Sequence, residues 1–499
     1  MTLDATIVVP TIGRESLGQL LTAVQAEDGT RPAEIIVVDD RPAPRPLSMP
    51  VGLPLRVLTS GGRGPAAARN LGWRASATRW VCFLDDDVLP APGWLRALHH
   101  DLTAAESARA AGSLGELHVP RTGTDRAPTD DERRTLRLAG ARWITADMTY
   151  RRDVLVQTGG FDERFPRAYR EDSDLALRIV SSGHRIVSGS RRCLHPVAPA
   201  TWMTSVRVQV GNRDNALMRR KFGRHWRTRI GEGRGRLPAH AATTVAGGAA
   251  VLAAGLGRRE PAAVLALLWG GLTLDFVVRR LTGGSRSIAE VAPITLSSIM
   301  IPPVAVAQRL IGEWEHRDAR REPPLAVLFD RDDTLIEDGP FLADPRGVVP
   351  LPGARRALDR LRSRGILLAV VTNQSGVARG LITPRQLVEV NAEVSGRLGH
   401  FDAWQICPHD DDDGCSCRKP APGMVVAAAS TLGVPPHRCV LIGDTGGDVR
   451  AALAAGARAV LVPTERTRSE EIVAARVHPR ARVAPTLTAA VDMVLREAR

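Results

Sequence analysis

Cys407-Pro-His409 and, after a short acidic loop, Cys415-Ser-Cys417 constrain this chain more than any other stretch. Three thiols and an imidazole so close in sequence can close a tetrahedral Cys₃His site around Zn²⁺. The gap between His409 and Cys415 gives the backbone room to turn back on itself. Cysteine is otherwise sparse, with Cys82, Cys193 and Cys439 scattered singly. That usage fits a reducing compartment, and it fits metal better than disulfides. Arg418 and Lys419 directly follow the last ligand. Two cations pinned beside a rigid loop suggest a place for phosphate.

The partners such a site needs lie on both sides of the loop. The apolar run Ala326–Phe329 ends in Asp330-Arg331-Asp332-Asp333-Thr334, residues 366–371 end in Thr372-Asn373-Gln374, and Cys439–Gly443 ends in Asp444 with Asp448 close behind. Each cluster follows a short β-branched strand, so all should meet at the carboxyl edge of a parallel sheet. This set resembles the haloacid dehalogenase superfamily. It is closest to the zinc-containing sugar-phosphate branch that includes D-glycero-D-manno-heptose 1,7-bisphosphate phosphatase and histidinol-phosphate phosphatase. The resemblance covers about residues 325–499.

It implies that Asp330 attacks phosphorus and that Asp332 protonates the leaving oxygen and then activates water. It implies Mg²⁺ on Asp330, Asp444 and the backbone carbonyl of Asp332, and Zn²⁺ on Cys407, His409, Cys415 and Cys417. Thr372 and Lys419 would bind phosphoryl oxygens, while Asn373 and Arg418 would reach the substrate. The family usually has Gly where this chain has Asp333. Asp tolerates a left-handed turn, but it adds a negative charge near the site.

At 499 residues the chain has room for two or three domains. The sequence opens straight into a strand with no secretory signal, which points to a cytoplasmic start. The net charge of +13 is concentrated ahead of residue 325: from there onward 22 Lys+Arg face 21 Asp+Glu. Residues 185–236 alone hold 13 basic and two acidic side chains. This stretch sits immediately before an apolar segment and lacks any nucleic-acid motif. An anionic membrane surface is therefore the expected partner, and nucleic acid is not.

Toward the amino end, residues 5–10, 34–38, Leu55–Thr59 and Trp80–Leu84 read as strands. They alternate with helices, which calls for a mostly parallel sheet. The fourth ends in Asp85-Asp86-Asp87. Three carboxylates at one strand end repel each other, and a divalent cation carrying a diphosphate would relieve that.

This spacing resembles the DxD motif of family-2 glycosyltransferases over about residues 4–225. By that resemblance Asp40 contacts the nucleotide and Asp85 lies at the donor. Asp87 would ligate Mg²⁺ or Mn²⁺. Residues 148–153 and 159–163 resemble the acceptor-side segment, and Glu171-Asp172 supplies the base, Asp172. The partners implied are a nucleotide-sugar donor and a glycan or lipid acceptor of open identity.

Residues 241–257 carry no charge, 261–278 carry only Asp275, and 291–307 carry none. These runs are near the lower limit for spanning a bilayer. The expectation is two marginal spans or interfacial helices, with Pro302-Pro303 breaking a third. Nucleotide-sugar and phosphosugar pools are both cytoplasmic, so the number of crossings should be even or zero, at the cytoplasmic face of the cell membrane.

The fold expected is α/β, with two Rossmann-like three-layer domains: a GT-A-like domain over 1–236 and a haloacid dehalogenase-like domain over 321–499. A membrane-associated helical segment over 237–320 joins them. The expected activities are glycosyl transfer and phosphosugar hydrolysis. Heptose bisphosphate is favoured as the phosphosugar, and histidinol phosphate or another phosphosugar remains open. The alternative of another class is that one module is a non-catalytic membrane scaffold for the other.

Overall fold

Strands β1 (Leu3–Thr11), β2 (Pro32–Asp39) and β4 (Trp80–Leu84) are buried almost throughout, and β3 (Leu55–Thr59) is the exposed edge strand in this computed structural model. Burial on both faces is what the continuous apolar runs require. The structure describes residues 2–120, 127–140, 142–197, 201–285, 287–317, 319, 322–337, 339 and 341–498. It divides into two compact units, Met1–Leu155 with Gly160–Arg317, and Val156–Gly159 with Asp318–Arg499.

The first unit also contains β5 (Leu89–Pro90), β6 (Gly112–His118), β7 (Asp147–Arg151) and β8 (Ile186–Leu194). The sheet order is β3-β2-β1-β4-β7-β6-β8-β5. The β3-β2-β1-β4 half is parallel, as expected. Beyond it the sheet is mixed, because β7 runs against both β4 and β6, and β5 against β8. The reversal brings Asp147 opposite Leu84, so the amino end of β7 shares an edge with the acidic triplet. Helix Pro65–Ala75 lies tightly on this sheet at Gly72, where a Cβ would sit 2.3 Å from Val8 Cγ1.

The first unit continues through three long helices, Leu237–Gly255, Arg259–Leu281 and Ile288–Glu315, each long and apolar enough to cross a membrane. The third corrects the expectation of a break at Pro302-Pro303, because it runs on through Pro293, Pro302 and Pro303. Proline removes an N–H and strains the preceding turn. Here tertiary contacts hold the axis. Ile301 packs with Val206 and Phe276, and Gly312 lies so close to helix Asn212–Phe222 that a Cβ would be 2.5 Å from Arg213 Cα.

The second unit is an all-parallel sheet of β9 (Ala326–Phe329), β10 (Leu367–Asn373), β11 (Ala403–Cys407), β12 (Cys439–Gly443), β13 (Arg458–Leu461) and β14 (Ala481–Val483). Its order is β11-β10-β9-β12-β13-β14. Successive residues of β9 serve opposite cores. Val327 and Phe329 pack with helices Ala354–Arg362, Pro384–Leu398 and Leu487–Glu497. Ala326 and Leu328 pack with Gly423–Thr431, Gly446–Ala454 and Ser469–Val477. Three layers result, with β9 central and its carboxyl end facing the loops that follow β10 and β12.

Candidate functional sites

The acidic triplet after β4 lies in a turn, and its three carboxylates are held differently. Asp86 turns inward, where Thr11 Oγ1 donates to it at 2.6 Å and Arg14 at 2.9 Å. Burial raises its pKa, with Thr11 and Arg14 acting against the rise. Asp85 and Asp87 are less buried than Asp86. Asp87 accepts from Arg14 at 2.7 Å, and its Oδ1 lies 3.8 Å from His195 Nε2, just past the end of β8. A carboxylate and an imidazole this close are donors of a kind that suits a divalent cation. His195 could not be picked from the sequence, because only the β5–β8 pairing carries it to this edge.

Asp85 is tied to Glu171, the neighbour of Asp172, through one side chain. Arg69 is fully buried and donates to Asp85 at 2.6 Å and to Glu171 at 2.9 Å. Burial alone would lower Arg69, but its two carboxylates raise it. Glu171 and Asp172 open helix Glu171–Ser181, whose amino end favours negative charge. Burial raises both carboxyls, Glu171 to about 8, with Asp172 the next cause for Glu171.

The residue before them, Arg170, has φ 80. Its guanidinium donates to Glu232 at 2.5 and 2.9 Å and to Asn215 at 3.0 Å, and it stacks on Tyr169 and Trp226. Deeper in the helix, Asp174 pairs with Arg178 at 2.8 Å and with buried Lys221. Asp40 is nearly buried and both its oxygens are taken, by Ser60 Oγ at 2.7 Å and by the Gly64 amide at 2.8 Å. In this state its carboxylate pins the glycine loop that starts helix Pro65–Ala75.

In the second unit, Asp330 follows β9. Its Oδ2 lies 2.8 Å from Lys419 Nζ, and its Oδ1 accepts the Arg331 amide at 2.7 Å. Lys419 also reaches Asp448 at 2.6 Å and donates to the Val371 carbonyl at 3.0 Å. Burial by itself would lower Lys419, but Asp330 and Asp448 raise it above an ordinary lysine. Asp330, Asp444 and Asp448 bring carboxylate oxygens within 4.8 Å of one another. Burial lifts Asp330 to about 8 and Asp444 to about 7. Three crowded carboxylates against one ammonium leave excess negative charge, so this cluster suits a hard cation.

Asp448 joins the site by geometry rather than by motif. Thr445 caps it, donating from Oγ1 at 2.6 Å and from N at 3.1 Å. Asp332 turns its carboxylate away from the cluster, to Arg331 at 3.1 Å and Gln374 Nε2 at 2.8 Å. Gln374 also donates to Thr372 Oγ1 at 2.9 Å. Asn373, expected to reach the substrate, instead spends its amide on the Lys419 backbone, donating at 3.1 Å and accepting at 3.0 Å. It braces the lysine. Asp333 adopts φ 52, the turn for which the family uses Gly, and its carboxylate lies 3.4 Å from Arg466.

Beside this edge, Cys407 Sγ is 3.5 Å from His409 Nδ1, 3.6 Å from Cys415 Sγ and 3.3 Å from Cys417 Sγ. Cys417 is 3.2 Å from His409 and 3.4 Å from Cys415. A tetrahedron with bonds of about 2.3 Å has edges of about 3.7 Å, so the four donors already match a Zn²⁺ shell. Cys415 is lowered to about 7: burial opposes this, but the Arg418 amide stabilises its thiolate. Arg418 folds back on the loop, to Asp411 at 2.7 Å and the His409 carbonyl at 3.1 Å.

The two edges belong to two kinds of enzyme. Residues 6–173 match the family model for glycosyl transferase family 2, and residues 416–490 match that for HAD-hydrolase-like proteins. The chain therefore carries a glycosyltransferase domain and a haloacid dehalogenase-type phosphatase domain.

A curated D-glycero-β-D-manno-heptose-1,7-bisphosphate 7-phosphatase of Pseudomonas putida is 39% identical over 152 residues, covering 28% of this chain and 85% of that protein. In its back half, the chain belongs to that phosphatase family. A solved D,D-heptose 1,7-bisphosphate phosphatase from B. bronchiseptica, complexed with magnesium and phosphate, is 32% identical with a TM-score of 0.31, covering 34% of this chain and 97% of that one. A mannosyltransferase from Pyrobaculum calidifontis, solved with GDP-Man and Mn²⁺, is 16% identical with a TM-score of 0.34, covering 63% and 88%.

Proposed function

We propose that the phosphatase domain removes one phosphate from D-glycero-D-manno-heptose 1,7-bisphosphate, and that the transferase domain passes a sugar from a nucleotide-sugar to a glycan or lipid acceptor. The observation that carries the first reading is Lys419, fixed between Asp330 and Asp448 at 2.8 and 2.6 Å. An ammonium held there meets the charge of a phosphoryl group while keeping the Asp330 oxygen aimed at it.

In this mechanism an Asp330 oxygen forms a bond to phosphorus as the bond to the sugar oxygen breaks, and Asp332 gives that oxygen its proton. Asp332, now a carboxylate held by Gln374 and Arg331, takes a proton from water, and the water oxygen displaces Asp330 to release phosphate. Thr372 donates to a phosphoryl oxygen, and Arg418 would release Asp411 to reach the substrate. Asp330, Asp444, Asp448 and the Asp332 carbonyl would hold Mg²⁺, which when bound neutralises phosphoryl charge.

In the transferase, Asp172 takes the proton from the acceptor hydroxyl as its oxygen bonds the anomeric carbon and the diphosphate departs. Asp85, Asp87 and His195 would hold Mg²⁺ or Mn²⁺, which offsets charge on the diphosphate. Asp40 orders the loop beside the nucleotide. We place both activities at the cytoplasmic face of the membrane, with the domain divisions at about residues 236 and 320.

The test is phosphate release by the full chain from a panel of phosphosugars. Heptose 1,7-bisphosphate should give the highest kcat/KM, at least about tenfold above histidinol phosphate, a gap of about 1.4 kcal/mol. Preference for histidinol phosphate would replace the heptose reading, and no turnover of any phosphosugar would favour a scaffold role.

A further expected result concerns zinc. The purified chain should hold one Zn²⁺ tightly, distinct from exchangeable Mg²⁺. Cys415→Ser should lower zinc occupancy and cut phosphate release about tenfold or more by loosening Arg418 and Lys419. A zinc-free chain with full activity would contradict it, by elemental analysis and assay of the same sample.

A further inference from the structure

The three long apolar helices are not equivalent. Leu237–Gly255 and Arg259–Leu281 form an antiparallel hairpin: His240 packs on Phe276 at 4.9 Å, and Gly247 lies against Trp269, where a Cβ would be 2.8 Å from the indole. Both ends of its base are tied to charged groups. Arg236 pairs with Asp275 at 2.9 Å. Arg280 reaches Asp130 at 2.5 Å, with Ser297 and Ser298 at 2.7 and 3.0 Å. Asp130 in turn accepts from Ser205 at 2.9 Å.

Away from the base the hairpin has no charge until the tip, Arg258-Arg259-Glu260. Between them Val251, Leu252, Leu256, Val264, Leu267 and Leu268 are 53–77% exposed. Nineteen residues in the first helix rise about 28 Å at 1.5 Å each, close to the roughly 30 Å of a bilayer core. An uncharged surface of that length, with a charged base and a charged tip, has the chemistry of a lipid-spanning pair.

Helix Ile288–Glu315 is different. Its middle packs on the hairpin at Phe276 and Arg280, and polar side chains of the transferase hold it near both ends. Glu290 accepts the Asp130 amide at 3.2 Å. Ile301 meets Val206. Gln308 and Glu315 take Arg213 at 2.5 and 3.0 Å, and Glu313 takes Arg219 at 2.8 Å. Glu290 at one end of its uncharged run and residues 308–315 at the other are held by the same folded transferase, and Val206 lies against Ile301 between them, so a crossing by this helix would force that transferase surface into the bilayer.

We infer that the chain crosses the membrane twice, through the hairpin Leu237–Leu281, and that helix Ile288–Glu315 stays with the transferase at the membrane surface. This rests on the membrane localisation proposed above. Two crossings return the chain to its starting side, so the residues after Glu315 begin on the side of the transferase. Arg258 and Arg259 then lie on the opposite side.

The test uses the full chain in sealed vesicles of both orientations and a membrane-impermeant maleimide, with wild-type labelling as background. Added cysteines replace outward-facing residues: Val51→Cys (92% exposed) marks the transferase side, and Ile288→Cys (88%) and Trp314→Cys (68%) flank the third helix. Arg258→Cys marks the tip. Val51, Ile288 and Trp314 positions should label from one side and the Arg258 position only from the other. Labelling of Ile288 and Trp314 positions from opposite sides would make the third helix a span, and labelling of the Arg258 position together with Val51 would remove the hairpin crossing. Either result overturns the two-span assignment while leaving membrane attachment standing. Release of the wild-type chain by alkaline carbonate would overturn the membrane reading itself.

Discussion

Asp330→Asn should cut phosphate release to below about one per cent of wild type. The substitution keeps shape and volume but replaces the proposed attacking carboxylate with an amide too weakly nucleophilic to form the acyl phosphate. It also leaves Lys419 paired with Asp448 alone, where wild type gives it two carboxylates at 2.8 and 2.6 Å. The zinc loop is braced through Cys407, His409, Cys415 and Cys417, and Lys419 keeps its backbone bonds to Asn373. Zinc content and the melting temperature should therefore stay close to wild type, which separates lost chemistry from lost folding. Steady-state phosphate release at saturating Mg²⁺ is the measurement, and turnover above about one per cent would take the nucleophile's role from Asp330.

Asp172→Asn should slow sugar transfer by about 10²–10⁴-fold, the usual contribution of a positioned general base. Asp172 is half-buried, and desolvation raises its pKa. In the proposed mechanism its carboxylate form is the base, so wild-type transfer should fall as pH drops through that raised value, and the acidic limb should vanish in the variant. Arg69 still ties Asp85 to Glu171 at 2.6 and 2.9 Å in this variant, so the donor side keeps its geometry. The signature is a loss in kcat with donor KM nearly unchanged. Release of nucleoside diphosphate from a panel of nucleotide-sugars, with and without membrane acceptor, reads both. An unchanged acidic limb would mean that another group accepts the proton.

Much of this was legible because the chemistry sits on short motifs at strand ends. The Cys₃His loop declares itself by spacing, and β3, β4, β9 and β12 occupy the residues where apolar runs stop at Asp, Thr or Gly. What escaped sequence reading depends on contacts between remote segments. Arg69 is an unremarked residue inside an alanine-rich helix, yet it is the strap between Asp85 and Glu171. His195 reaches Asp87 only because β8 returns beside β5. Asp448 could be seen in the sequence, but its place beside Asp330 and Lys419 depends on the turn capped by Thr445. The prolines of helix Ile288–Glu315 misled for the opposite reason. Local propensity argued for a break, and packing against Val206 and Arg213 overrode it.

One chain carrying two enzymes with separate catalytic groups should show that separation when two variants are crossed with two assays. Asp330→Asn and Asp87→Ala are each assayed for phosphate release from heptose 1,7-bisphosphate and for nucleotide-sugar turnover. Asp330→Asn should abolish the first and leave the second within about twofold of wild type, and Asp87→Ala should do the reverse, since the two groups share no partner. Loss of both activities in either variant, with zinc content and melting temperature preserved, would mean a single composite site and would contradict two separate enzymes.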